Sequence, residues 1–499
     1  MMKLQGSPRA AGWLTGLIVA LVLVPAVTAC GSGQSAINRV ISVLTNDETP
    51  LPAAAQMQLE RFETVYKAYS AQPDDKDRLK YFEFAFRRVR VSYVHDVSDA
   101  TLIDAAIKGV RETKAQPGTL APKKLVESAL ETMVASLDPH SSYLNADEFR
   151  ESFVQTSGEF GGLGIEITME DGMVKVIAPI EDTPAERAGL KTGDLIISVD
   201  GEPIQGKTLV QAVKTMRGRP GTDITLTIRR AGRADFAVTL TRAIVKIRAV
   251  RWRVEDNIGY IRVTRFTEKV ETGVAEAIHG IHAAVGGRPA GIVLDLRNNP
   301  GGLLDQSLAL ADAFLDEGEI VSIRGRNRSQ DRSYKADPGD FARGVPMVVL
   351  INGGSASASE IVASALQKHR RATVMGTRSF GKGSVQTILP MPVEGGLRLT
   401  TALYYAPDGH TIQARGVEPD IVLTPAKEPA NARREADLPG ALPAEAKDIA
   451  RADSRPTVPE EACPPASDKD DKQLGCALTY LNAGSATSFM ATIKARPQI

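Results

Sequence analysis

Nothing in the bulk composition advertises a charged partner. The 60 basic and 60 acidic side chains cancel, so neither nucleic acid nor an acidic substrate is indicated. Histidine is scarce: His95, His140, His279, His282, His369 and His410 have no cysteine or acid at ligand spacing. His279 and His282 can share a helix face but read as surface residues, so no metal is expected. Cysteine is scarcer still, at positions 30, 463 and 476, and internal repeats are absent. What remains is ordinary: 499 residues, 43% hydrophobic and 24% charged, enough for two or three soluble domains with full cores.

The N-terminus departs from this plainness. Lys3 and Arg9 precede an uncharged run from Trp13 to Ala29 that ends in small residues, the pattern of a secretory signal. Val27-Thr28-Ala29-Cys30 also reads as a bacterial lipobox, which would make Cys30 the lipidated first residue of the mature protein. The alternative is an uncleaved single-span anchor, because seventeen apolar residues are at the lower edge for spanning. Both readings export the chain. We expect a periplasmic protein anchored to the membrane by an N-terminal lipid. In that oxidising compartment Cys463 and Cys476, separated by PPASDKDDKQLG, are candidates for a disulfide, worth about 3 kcal/mol by chain entropy.

The texture then changes in blocks. After the signal and lipobox (1–30), residues 31–55 read as a tether. Residues 56–150 space apolar side chains at three and four, as in KKLVESALETMVASL, and predict helices. Residues 151–243 hold short alternating strands, as in ITLTIRR, with a hairpin turn at Asp200-Gly201. In 244–426 strands alternate with helices. GIVLDL and VPMVVLI are nearly continuous apolar runs, the mark of strands buried in an α/β domain. Residues 427–499 read as a disordered linker and tail, with one short helical segment at LGCALTYLNA.

Within the strand-rich block, GEFGGLGIEI places Gly161, Gly162, Leu163, Gly164 and Ile165 before a strand. Glycines there can turn several N–H groups toward one carboxylate, and the strand edge after them can accept an extended peptide. With AGLKTGDLIISVDGEPI, the block resembles a PDZ domain of the bacterial-protease type, although Ile165 stands where Phe is frequent. A plain tight loop is the bland alternative.

VMGTRSFGKGSVQ carries the Walker A spacing from Gly376 to Lys382, but Gly383 replaces the required Ser or Thr. Export removes the chain from ATP, and SVQTILPMP after the lysine is no helix. Lys382 therefore needs another task. LINGGSASASEIVASAL sets Ser355, Ser357 and Ser359 between a buried strand and a helix. A hydroxyl there faces a helix N-terminus, which favours developing negative charge. Ser357-Ala358-Ser359-Glu360 is equally a helix capping box. LDLRNNPGG adds amides, Gly301 or Gly302, that with Ala358 can form an oxyanion hole. A buried, neutral lysine can activate a serine. Lys382 lies between glycines beside Phe380 and Val385, and Gln386 shares its parity in an extended chain.

LDLRNNPGG, SASASEI and SFGKGSVQ, behind a PDZ-like block and an upstream LDPHSSYL, resemble the carboxyl-terminal processing peptidases, or tail-specific proteases, over roughly residues 80–425. The resemblance implies a multidomain α+β and α/β protein: an N-terminal helical region, a PDZ domain and a crotonase-like α/β catalytic core. It implies Ser357 as nucleophile, Lys382 as general base, Gln386 as its orienting partner, and no metal or cofactor. Spacing alone does not choose Ser357 over its neighbours. Lys368 departs from the family, whose members often carry an acid there. Partners would be polypeptides held by their C-termini at Gly162–Ile165, together with an adaptor protein, the membrane and a second copy joined through the helical region; nucleic acid is not among them. Arg217, past the last PDZ helix, is a candidate regulatory contact to the catalytic domain when a ligand binds. Rival readings are a catalytically dead PDZ adaptor and an acyl-CoA enzyme on the same fold.

Overall fold

The computed structural model describes residues 50–180, 182–246, 248–425, 433–445, 455–466 and 471–495. The expected signal, the lipobox with Cys30 and the tether as far as residue 49 lie outside the described residues. Among the described residues, no helix is long and apolar enough to cross a membrane.

The helical region begins at Ala53, inside the expected tether, with helices Ala53–Tyr69, Lys76–Ser92, Asp99–Glu112 and Pro122–Ala135. Their starts are chemically marked. Asp75 accepts from the N–H groups of Asp77 and Arg78, Ser98 caps the N–H of Thr101, and Pro122 opens the fourth helix. The helices bury Phe62, Phe82, Leu102 and Leu130 in one core. A Cβ on Gly109 would lie 2.3 Å from the Ser128 carbonyl oxygen, so only glycine lets the third and fourth helices approach this closely. The region is not a separate body. Leu397, Leu399 and Leu403 of strand Gly396–Tyr405 share its core, and strand Ser142–Leu144 pairs antiparallel with that strand.

Helix Ala146–Ser157 crosses the expected boundary at 150. It leads into a two-stranded ribbon, Glu159–Gly162 with Ala243–Lys246, through which the chain enters and leaves the PDZ domain. That domain is a six-stranded sheet, with Ile165–Glu170 at one edge. Ile224, Leu226 and Ile228 point into its core as the alternation predicts. Asp200 (φ 49°) and Gly201 (φ 83°) form the expected turn.

The region expected to be the catalytic core is built on a seven-stranded sheet. Val250–Glu255 pairs antiparallel with Ile258–Val263, and the rest is parallel: Gly291–Asp295, Met347–Ile351, Thr373–Gly376, Ile421–Thr424 and Thr457–Pro459. Helices Val270–Ala284, Leu304–Asp312 and Ala358–Lys368 contribute to the core that covers one face, over Ile292, Leu294, Val349 and Ile351. The opposite face, with Val293, Val348, Leu350, Met375, Ile421 and Leu423, is covered by helices Lys472–Ala483 and Ala486–Lys494.

This corrects the reading of residues 427–499 as a disordered linker and tail. The described parts of that segment supply a strand, two helices and the second layer of the core. Exposing those six apolar side chains would cost roughly 10–20 kcal/mol at about 1.5–3 kcal/mol each, comparable to the whole stability of a domain. The signal was in the strands: an apolar run on both faces needs cover on both faces. Cys463 and Cys476 are joined by a disulfide, both buried, pinning the last strand to the first of these helices.

Candidate active site

Met347–Ile351 ends in the Asn352–Gly354 turn, and the serine segment follows before helix Ala358–Lys368. The three serines separate by burial. Ser355 and Ser359 are fully buried and donate to the carbonyls of Leu296 (2.8 Å) and Asn299 (2.9 Å), tying this segment to the LDLRNNPGG turn. Ser357 is half-buried and sits at φ 55°, ψ −113°, a sparsely populated backbone conformation for a side-chain-bearing residue. Such strain persists only where surroundings impose it, and it clusters at functional sites. The capping box expected from Ser357 to Glu360 is present, and in it the Glu360 carboxylate accepts the Ser357 N–H at 2.7 Å.

The glycine turn lies against the serine. A Cβ on Gly301 (φ 96°) would be 2.9 Å from Ser357 Cβ and 3.0 Å from the Ala358 nitrogen. The Gly301 N–H is committed, however, to Asn299 Oδ1 at 2.9 Å, so Gly301 is not an oxyanion donor. Phe266 bridges to Gly302 through the Gly301 carbonyl and the Leu303 N–H, which turns the Gly302 N–H away from it. Among the described residues the N–H groups of Gly302 and Ala358 have no acceptor. They are the amides available to an oxyanion. Asp295 and Arg297 brace the turn: Arg297 donates to both Asp295 oxygens (3.0 and 2.7 Å) and to both Asp471 oxygens (2.9 and 2.7 Å). Burial works to raise the Asp295 pKa, but Arg297 and Arg262 hold it below the usual carboxylate range.

Lys382 stands where no helix follows; strand Ser384–Pro390 does, which disposes of a phosphate loop. Its flanking glycines are required. A Cβ on Gly383 would lie 2.1 Å from the Gln413 nitrogen, and one on Gly381 (φ 97°) 3.1 Å from the Gly416 nitrogen. The fully buried Glu360 carboxylate joins this loop to the serine. It accepts from Ser379 Oγ (2.5 Å), Gly381 N–H (2.6 Å) and Lys382 N–H (2.9 Å), besides Ser357. Burial pushes its pKa up to about 7 against those four donors. The Lys382 pKa is lowered, first by burial and then by Arg398, while Glu435, Asp138 and Glu360 oppose the shift.

One expectation about this side needs correction. Gln386 does not hold the lysine amine; its Nε2 donates to Ser384 Oγ (3.0 Å) and Thr400 Oγ1 (3.2 Å). Lys382 precedes the strand, which begins only at Ser384, so the parity of an extended chain does not carry from the lysine to Gln386. Among the described residues the Lys382 amine makes no hydrogen bond or ion pair, to Ser357 or to any other group. Thr400 in turn donates to the buried Asp138 (3.0 Å), which also takes Ser141 Oγ at 2.6 Å. The LDPHSSYL stretch thus supports the lysine side. His369 binds the Glu319 carbonyl and Lys368 pairs with Asp408, so neither serves Ser357. Glu360 was legible only as a cap. Asp138, Thr400, Gln413 and Glu435 carried no sequence signal of their own.

In the PDZ domain the edge strand Ile165–Glu170 has one neighbour, Met173–Pro179. An apolar groove with Leu163, Ile165 and Ile167 on one side and Val213 and Met216 on the other runs along it. The N–H groups of Leu163 and Gly164 have no acceptor among the described residues. Gly164 (φ 79°) is irreplaceable, since a Cβ would meet Thr183 at 2.2 Å. Arg217, the candidate contact to the catalytic domain on ligand binding, pairs here with Glu151 at 2.5 Å and lies over the Phe160 ring, 4.6 Å from its centre. Among the described residues no group of three or more metal-ligating side chains occurs.

Residues 257–423 match the model of peptidase family S41, and residues 161–240 that of the PDZ domain. The chain is 54% identical over 303 residues to a carboxy-terminal-processing protease of Bartonella bacilliformis, covering 60% of this chain and 70% of that protein. It is 32% identical over 360 residues to a probable CtpA-like serine protease of Staphylococcus haemolyticus, covering 72% and 67%. A solved structure, the photosystem II D1 C-terminal processing protease, shares 29% identity over 72% of this chain and 98% of its own, with a TM-score of 0.44.

Proposed function

This chain belongs to peptidase family S41, the carboxy-terminal-processing serine proteases, and on that premise we propose that it cleaves polypeptides near their C-termini with a Ser357–Lys382 dyad. The observation that carries the reading is the Glu360 carboxylate, which fixes the backbone N–H of both residues at once. A polypeptide tail adds to the edge strand Ile165–Glu170, its carboxylate taken by the amides of Leu163 and Gly164 and its last apolar side chain by the groove. The neutral amine of Lys382 swings to Ser357, takes the hydroxyl proton as Oγ attacks the scissile carbonyl, and returns it to the leaving amine. The oxyanion is met by the amides of Gly302 and Ala358 at a helix N-terminus. Water then releases the acyl group by the same route. Gln386 Oε1 can receive the ammonium when it forms. Export and lipid anchoring at Cys30 rest on the N-terminal sequence and belong to the proposal, as do delivery by an adaptor and pairing of two copies.

Ser357→Ala should abolish β-casein digestion and labelling by a serine-reactive phosphonate while leaving the fold intact. Ser355→Ala should keep labelling but lose stability, about 1–3 kcal/mol for a buried hydrogen bond. Equal loss of labelling at both positions would reject Ser357. The unbonded Lys382 amine favours one rival, a dead PDZ adaptor. Tail-peptide binding without digestion or labelling by the wild type would establish that rival.

A further inference from the structure

Residues 433–445 lie beyond the segment matched by the family model, yet one side chain from them is buried beside the base. Glu435 is 1% exposed. Its N–H donates to the Phe380 carbonyl at 3.1 Å. Its Oε1 accepts from Gln413 Nε2 at 3.0 Å, and its Oε2 pairs with His140 Nε2 at 2.7 Å. Gln413 then accepts the Gly383 N–H at 3.0 Å and donates to the Leu442 carbonyl at 3.0 Å. The backbone is therefore gripped on both sides of Lys382, at Phe380 and at Gly383, by one network centred on Glu435. That network reaches back to the helical region through His140 and forward along the C-terminal segment through Leu442.

Burying a carboxyl group is costly unless its hydrogen bonds are made, and a strap over a loop could be secured by apolar contacts alone. A placement this specific calls for a reason. We infer that Glu435 is a positioning residue for the general base, and that the strap 433–445 is part of the catalytic machinery. The inference rests on the proposed role of Lys382. The charged groups around that lysine are Glu435, Asp138, Glu360 and Arg398. Glu435 is the leading anion among them, so it holds the loop in register and also favours the ammonium.

The test uses the full chain with Glu435→Gln, nearly isosteric, and Glu435→Ala. Hydrogen exchange over residues 379–386 reads the loop without any need for activity. The Ala variant should speed exchange there at least tenfold, and the Gln variant less. In kinetics the Ala variant should lower kcat tenfold or more with KM within twofold. The Gln variant should keep most of kcat but move the acid limb of kcat/KM to lower pH by about half a unit, because one anion near the amine is gone. A purely structural residue would lower Tm and leave that limb in place. Unchanged loop exchange in both variants, or an unmoved limb in Glu435→Gln, overturns the inference. A wild type that neither cleaves nor labels sinks the proposed function instead, and the exchange result still decides whether Glu435 holds the loop.

Discussion

The serine side of the site and the lysine side are built from different materials. Ser357 rests on secondary structure: the end of a central parallel strand, the start of a helix and a glycine turn from the neighbouring strand. Lys382 rests on a loop whose supports are side chains from residues 138, 360, 400, 413 and 435. A βα junction positions its residues through backbone hydrogen bonds that form wherever the strand and helix form. A loop between two glycines has no such default, so every restraint on it is a separate long-range contact. The base is thus the more easily disturbed partner, and most of its supports lie outside any short motif.

Breaking the one group common to both sides should have the largest effect. Glu360→Ala should lower kcat at least 100-fold and destabilise the fold by about 3 kcal/mol, since it strands buried donors; kinetics and urea denaturation measure both. A variant with near-normal kcat would show that the two sides are aligned independently. Glu360 also predicts a pH signature. Burial pushes its folded pKa up to about 7, above the ordinary glutamate value of 4.5, so the native state holds the extra proton between them. The stability this contributes is full below about 4.5 and is lost as pH rises through about 7. Glu360→Gln should flatten that fall in a denaturation series from pH 4.5 to 8.

Next come the remote supports of the serine side. Cys476→Ser should cost about 3 kcal/mol of stability. Asp471→Asn, which removes one of the two carboxylates on Arg297, should lower kcat about tenfold with KM little changed. If Asp471→Asn leaves kcat intact, the serine side stands on its strand and helix alone and the contrast sharpens. The smallest effect is expected at Thr400→Val, which cuts the link from Asp138 to Gln386. A three- to tenfold fall in kcat with little change in Tm would place that link in the lysine side, whereas no change would confine Gln386 to packing.

Legibility in the sequence followed the same division. The helices from Ala53 to Ala135, the PDZ strands and the buried parallel strands were readable, because apolar periodicity reports which face is covered. The glycines around Lys382 were readable as points of close approach, and Gly383 against Gln413 bears this out at 2.1 Å. Ser357 could not be told from Ser355 and Ser359 by spacing; burial separated them. Gln386 was misplaced because parity counting assumes an extended chain from Lys382 onward, whereas the strand begins only at Ser384. The C-terminal segment was misjudged because its composition is that of a linker, while the reason for its order lies in the strands it covers.

By itself the sequence determined the local elements, the close approaches that demand glycine, and a resemblance strong enough to nominate a serine and a lysine. These depend on neighbours along the chain. Only the tertiary structure decided which carboxylates surround the lysine, which amides remain free beside the serine, and that the tail completes the core. Desolvation and Coulomb interactions fall off with distance in space, and residues 138, 360 and 435 are near Lys382 only once the chain has folded.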